Sequence, residues 1–161
     1  MTHLILMNSK ILAAFALLAL LGGCGKDEGD PAQQNTLSAG LVITHSLAYP
    51  REAAAPVGIA YVSIANGGPG EDRLLSAESP VSERVEIHET VDEEGMIKMK
   101  HHDKGVLIEE GETLLMEPGG SHLMLMGMKT ALVDGEKLKM TLHFKKAGPM
   151  EIEIPIGKQP W

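Results

Sequence analysis

Between residues 41 and 155, apolar and polar side chains alternate with a period of two in short runs, and Gly, Pro and charged clusters interrupt those runs. Successive side chains of an extended strand point to opposite faces, so the pattern predicts strands that each lay one face on a core. The predicted strands are Leu41–Leu47, Gly58–Asn66, Asp72–Ala77, Arg84–Thr90, Met96–His101, Val106–Ile108, Thr113–Met116, His122–Met128, Lys137–Phe144 and Met150–Pro155. Turns are expected at 66–70, 94–95, 118–120, 134–135 and 148–149, where Gly and Pro gather. No stretch of this region carries the 3.6-residue period of an amphipathic helix. Many short strands with regular turns indicate an antiparallel sandwich or barrel. In Lys137–Phe144, the side chains of Leu138, Met140, Leu142 and Phe144 form the core face, which leaves His143 toward solvent; His45 is read the same way. With two Phe, two Tyr and one Trp in the chain, the core must be built from Val, Ile, Leu and Met.

The first residues follow a different pattern. Ile11 to Leu21 is an apolar run behind Lys10, too short to span a bilayer and laid out as a secretory signal. It ends in Leu21-Gly22-Gly23-Cys24, similar to a bacterial lipobox in which the cysteine becomes the lipidated first residue. The expected organisation is a lipoprotein signal at 1–23, a lipidated Cys24 and flexible tether over 24–36, and one β-sandwich domain over 37–161. Gly25 after the cysteine resembles known sorting patterns that favour the outer membrane, if the source has one. Cys24 is the sole cysteine, which excludes an intramolecular disulfide and a Cys-rich zinc site. Loss of residues 1–23 removes one lysine and takes the net charge from −8 to −9. An acidic, aromatic-poor domain is a poor partner for nucleic acid.

One stretch departs from ordinary strand composition. In Gly119–Met128, the side chains of His122, Met124, Met126 and Met128 fall on one face and Leu123 and Leu125 on the other. Val, Ile or Thr would be usual at such positions. All eight methionines beyond the signal lie between Met96 and Met150, more concentrated than core filling alone predicts. Upstream, Glu86 and His88 share the polar face of a strand, and a turn at Asp92–Gly95 predicts a hairpin returning Met99 beside His88. His88, Met99, His122 and Met124 then supply two imidazoles and two thioethers. Thioether sulfur suits Cu(I) and is a poor ligand for zinc, calcium or magnesium, and the absence of a thiolate disfavours a blue-copper electron-transfer site. Glu86 and Glu89 flank His88 and are candidates to orient its ring. Met126 and Met128 are read as core or rim, and Met96 with His101-His102 as solvated loop residues first and an auxiliary capture site second. No Ser/His/Asp or Cys/His arrangement, phosphate-binding glycine loop or apolar carboxylate pair points to an enzyme.

The pattern His88-x10-Met99-x22-His122-x-Met124 resembles the signature of the PCuAC (DUF461) periplasmic copper chaperones. Val85–Glu89, Met96–Met99, Glu117–Gly127 and Leu142–Phe144 support the likeness, as do Ala60–Asn66 and Asp72–Leu75 in the first half. The family motif is commonly written with 21 residues where 22 separate Met99 from His122 here, and the Met/His-rich tail of some members is not seen before Trp161. The resemblance implies a cupredoxin-like Greek-key β-sandwich and one Cu(I) held by His88, Met99, His122 and Met124. It also implies a copper acceptor, either cytochrome oxidase subunit II with its binuclear copper site or another assembly chaperone. The expected location is extracytoplasmic and periplasmic, with membrane contact through the lipid on Cys24. Two alternatives remain open from the sequence. One is a metal-free β-sandwich lipoprotein serving as an assembly module; the other is a periplasmic copper buffer.

Overall fold

The computed structural model describes residues 37–158; the signal segment, Cys24, the tether and the last three residues lie outside the described residues. Eleven strands run through the described residues: β1 Leu37–Ser38, β2 Leu41–Ala48, β3 Val57–Asn66, β4 Asp72–Glu78, β5 Ser82–Glu93, β6 Met96–His101, β7 Val106–Ile108, β8 Thr113–Leu114, β9 Ser121–Met128, β10 Lys137–Phe144 and β11 Gly148–Pro155. They pair in the order β1-β2-β3-β9-β5-β4-β10-β11, with β6 on β5, β7 on β4 and β8 on β3. Every pairing between strands is antiparallel. A parallel bridge from Ala48 to Ile156 brings the two ends of this path together, so the sheet curls into a nearly closed sandwich of cupredoxin-like form.

The alternation read from the sequence is what fills the interior. Leu138, Met140, Leu142 and Phe144 of β10 are buried, as are Leu123 and Leu125 of β9, Val62 and Ile64 of β3 and Ile154 of β11. Met116, Met128, Met140 and Met150 also belong to this core. Half of the methionines beyond the signal are therefore packing residues, and their concentration in the sequence is only partly a mark of chemistry. Met128 leaves the even-numbered face of β9 because Gly127 before it adopts φ +63°, which breaks the alternation.

Two buried polar side chains hold connections in place. Asn66 donates through Nδ2 to the carbonyls of Gly70 and Ile108, and its Oδ1 accepts from the Gly68 amide. The Asp72 carboxylate accepts from the amides of Arg73, Lys146 and Ala147. Burial by itself would raise the Asp72 pKa, but those three amides and the nearby Lys146 charge outweigh it, and the net shift is downward.

Some boundaries differ from the sequence reading. The β10–β11 turn is Lys145–Ala147, and Gly148 and Pro149 already pair with Phe144 and His143 as the first residues of β11. A three-residue hairpin loop closes onto a glycine at positive φ, which is Gly148 here at +78°. The segment predicted at Thr113–Met116 is a strand only over Thr113–Leu114, and Met116 instead bridges Ser121 while its side chain is fully buried. β5 runs from Ser82 to Glu93, beyond both ends of the predicted Arg84–Thr90, so His88 stands well inside the strand.

Candidate metal centre

Strand β9 lies between β3 and β5, and its register fixes the site. His122 sits directly opposite His88, and Met124 opposite Glu86. The odd-numbered Leu123 and Leu125 anchor β9 in the core, which turns His122 and Met124 onto the other face of the strand. On the far edge of β5, the hairpin register places His101 of β6 opposite His88 and Met99 opposite Thr90. Met99 is thus a diagonal neighbour of His88, about 7–8 Å away at the backbone, and Met124 is another on the opposite side along the strand. The expected hairpin is present, but the residue it returns directly beside His88 is His101. The turn at Glu94-Gly95 sets this, because it pairs Glu93 with Met96 and so fixes every later partner.

A row of rings crosses the sheet. His101 and His88 have centroids 5.2 Å apart, His88 and His122 5.9 Å, His122 and Tyr61 6.4 Å, and Tyr61 and Tyr49 5.8 Å. Desolvation, with a smaller contribution from Tyr49, raises the Tyr61 pKa and keeps that phenol neutral.

The hydrogen bonds of the two facing histidines determine which nitrogens remain available. His88 Nε2 lies 3.0 Å from Glu86 Oε2. An ionised carboxylate only accepts, so Nε2 carries the proton and Nδ1 the lone pair. The Arg84 guanidinium bonds Glu86 Oε1 at 2.6 Å. That hydrogen bond first, and then the one from His88, hold the Glu86 carboxyl below its ordinary range against a modest desolvation. His122 Nδ1 lies 3.0 Å from the Gly120 carbonyl, which also only accepts, so the lone pair of this ring is on Nε2. Neither His88 Nδ1 nor His122 Nε2 has a hydrogen-bond partner among the described residues, and both are buried. Buried ring nitrogens are normally paired, and a metal ligand whose other nitrogen is held by a carboxylate or carbonyl is a recurrent arrangement.

The remaining candidates divide by exposure. His122 is 4% exposed, whereas Met99 on β6 is 60% exposed, and Met96 and Ile97 on the same strand are also open to solvent. Met124 and Met126 are half-buried. Glu86 contacts His88, but Glu89 reaches His102 Nε2 instead, at 3.2 Å. His143 is half-buried and pairs with Glu78. His101 is not a loop residue: it ends β6, faces His88 and is held at Nδ1 by Asp103 at 2.9 Å. The sequence reading ended a strand at His101 but did not place it opposite His88, because the register of this hairpin cannot be read from Lys98–Lys104.

A cupredoxin-like β-sandwich carrying two facing, half-satisfied imidazoles is the class of protein that fold and geometry define. The chain belongs to the LpqE-like family ("Putative lipoprotein LpqE-like"), which it matches over residues 41–156. The protein called "Putative lipoprotein Lxx21020" of Leifsonia xyli subsp. xyli (strain CTCB07) is 33% identical over 111 residues, covering 69% of this chain and 67% of that one. Among solved structures, the copper-bound PCuAC domain from PmoF2 superposes with a TM-score of 0.66 at 20% identity, over 79% of this chain and 100% of that domain. The solution structure of CuI-DR1885 from Deinococcus radiodurans gives 0.54 at 24% identity, over 82% and 84%. At these identities the likeness to solved structures is one of fold, and together with the family match it bears out the family expected from the sequence.

Proposed function

We propose that this protein is an extracytoplasmic Cu(I) metallochaperone, not an enzyme, whose cargo ion is held by His88 and His122 with thioethers from Met99 and Met124. The observation that carries the reading is the pair of buried, unpartnered nitrogens, His88 Nδ1 and His122 Nε2, on directly opposed residues. Each ring is locked by its other nitrogen, so both lone pairs are presented without a tautomeric choice. Met99 and Met124 flank this pair on the same face and add sulfur donors, which favour Cu(I) over harder ions. Two fold neighbours, the copper-bound PCuAC domain from PmoF2 and CuI-DR1885, agree with this choice of ion.

The exposure of Met99 supports a role in transfer. A ligand open to solvent can be displaced by an incoming thiolate while the buried imidazoles still hold the ion. The acceptor is then a thiolate-bearing copper site, cytochrome oxidase subunit II or another assembly chaperone. The family's lipoprotein description and the lipobox at Leu21–Cys24 support anchoring to a membrane surface through Cys24, with the ion site outside the cytoplasm. The test mixes Cu(I)-loaded protein anaerobically with a two-cysteine acceptor peptide and assays copper in each after separation. Most of the copper is expected on the peptide. Full retention by the protein would contradict delivery and leave a buffering role.

A further inference from the structure

We propose that Glu86, His88 and His101 form a second cation site, for a borderline divalent ion of the Zn(II) or Cu(II) type, which competes with the thioether site for His88. One ligand atom from each of these three residues lies within 4.8 Å of the other two. The donor set is two imidazoles and a carboxylate, with no sulfur. Such a set suits Zn(II) and Cu(II), and three protein ligands leave a position for water.

Each member is prepared for the task by a neighbour. Arg84 occupies Glu86 Oε1, which leaves Oε2 on the side of His88. Asp103 holds His101 Nδ1, so the lone pair of that ring is on Nε2. Within this trio the His101 side chain is the most open, at 43% exposed against 14% for His88, and it gives an ion access from solvent.

Competition follows from the chemistry of one ring. An ion bound jointly by Glu86 and His88 takes the place of the proton between Glu86 Oε2 and His88 Nε2. A neutral imidazole then carries its proton on Nδ1, and that nitrogen no longer offers a lone pair to Cu(I). The two sites therefore cannot be filled together, and His88 acts as a selector between a hard-faced and a soft-faced site. Only the competition rests on the Cu(I) reading above; the divalent site stands on its own residues.

Zn(II) is the probe, since it has no redox chemistry. Isothermal titration calorimetry of the purified apo protein should show one Zn(II) equivalent in the wild type. In His101→Ala the affinity should fall by about tenfold or more, while Met124→Ala should bind Zn(II) like the wild type. Protein already loaded with Cu(I) should take up Zn(II) much more weakly than the apo form. Equal Zn(II) affinity in the wild type and His101→Ala would mean an adventitious ion only and would overturn the site. Unchanged Zn(II) uptake by Cu(I)-loaded protein would overturn the competition. A protein that refuses Cu(I) but shows His101-dependent Zn(II) binding would sink the chaperone reading and uphold this one.

Discussion

Replacing Glu86 by glutamine keeps the size of the side chain and removes only its charge and its acceptor-only character. In the wild type the carboxylate accepts the Nε2 proton of His88 at 3.0 Å, and this fixes the lone pair on the buried Nδ1. A glutamine amide can either accept from Nε2 or donate to it, so the ring would sample the tautomer whose Nδ1 is protonated and cannot bind Cu(I). The hydrogen bond to a neutral acceptor is also weaker than one to a carboxylate by about 1 kcal/mol or somewhat more. Since about 1.4 kcal/mol is a tenfold change in a dissociation constant, the Cu(I) affinity of Glu86→Gln should fall by about tenfold. Orienting carboxylates behind a ligating histidine contribute about 10–100-fold to metal affinity, which brackets that figure. The assay is anaerobic competition with a chromogenic Cu(I) chelator. Glu89→Gln is the control, because its carboxylate serves His102 and not His88. A Glu86→Gln protein with wild-type Cu(I) affinity would refute the claim that His88 Nδ1 is a ligand held in place by this carboxylate.

Three further predictions concern the scaffold. Asp72→Asn should destabilise the fold by about 1–3 kcal/mol in chemical denaturation at neutral pH, because one of the three amides bonded to the carboxylate loses its acceptor. The folded-state pKa of Asp72 is depressed, so its contribution is full above the ordinary 3.8 and is lost as pH falls from there through the lower folded value; the asparagine variant should lack that part of the acid dependence. Gly105→Ala should lower stability by about 2 kcal/mol or more in the same assay, since Gly105 has φ +69° and an added Cβ would stand 2.1 Å from the Leu74 carbonyl oxygen. Leu123→Ala, beneath the site on the core face of β9 and fully buried, should cost about 3–5 kcal/mol by leaving a cavity, and a loss under about 1 kcal/mol would show that β9 is not fixed by its leucines.

The strand pattern was legible because burial on one face imposes a period of two, and Val106–Ile108 and Lys137–Phe144 have the bounds that the alternation predicted. Where no buried face imposes that period, the sequence misleads. β1 spans only Leu37–Ser38 and leaves no alternation to read. The β10–β11 turn at Lys145–Ala147 lies one step before the Gly-Pro pair that seemed to mark it. The opposition of His88 and His122 depends on pairing between strands far apart in the chain, and the expected metal set reached these residues through ligand chemistry and spacing, not through register. The place of His101 opposite His88 was hidden for the same reason, since only the Glu93–Met96 pairing at the hairpin turn brings it there. Sequence separated the methionines by role only in part: Met140 was placed in the core and Met128 in the core or rim, but nothing marked Met116 and Met150 as turning inward.

The most direct test of the central claim is an anaerobic Cu(I) titration of the protein against a chromogenic chelator, beside the Met99→Ala/Met124→Ala double variant. The account predicts one tightly held equivalent in the wild type, lost or greatly weakened in the variant. A wild-type protein that cannot compete with the chelator at all would contradict it.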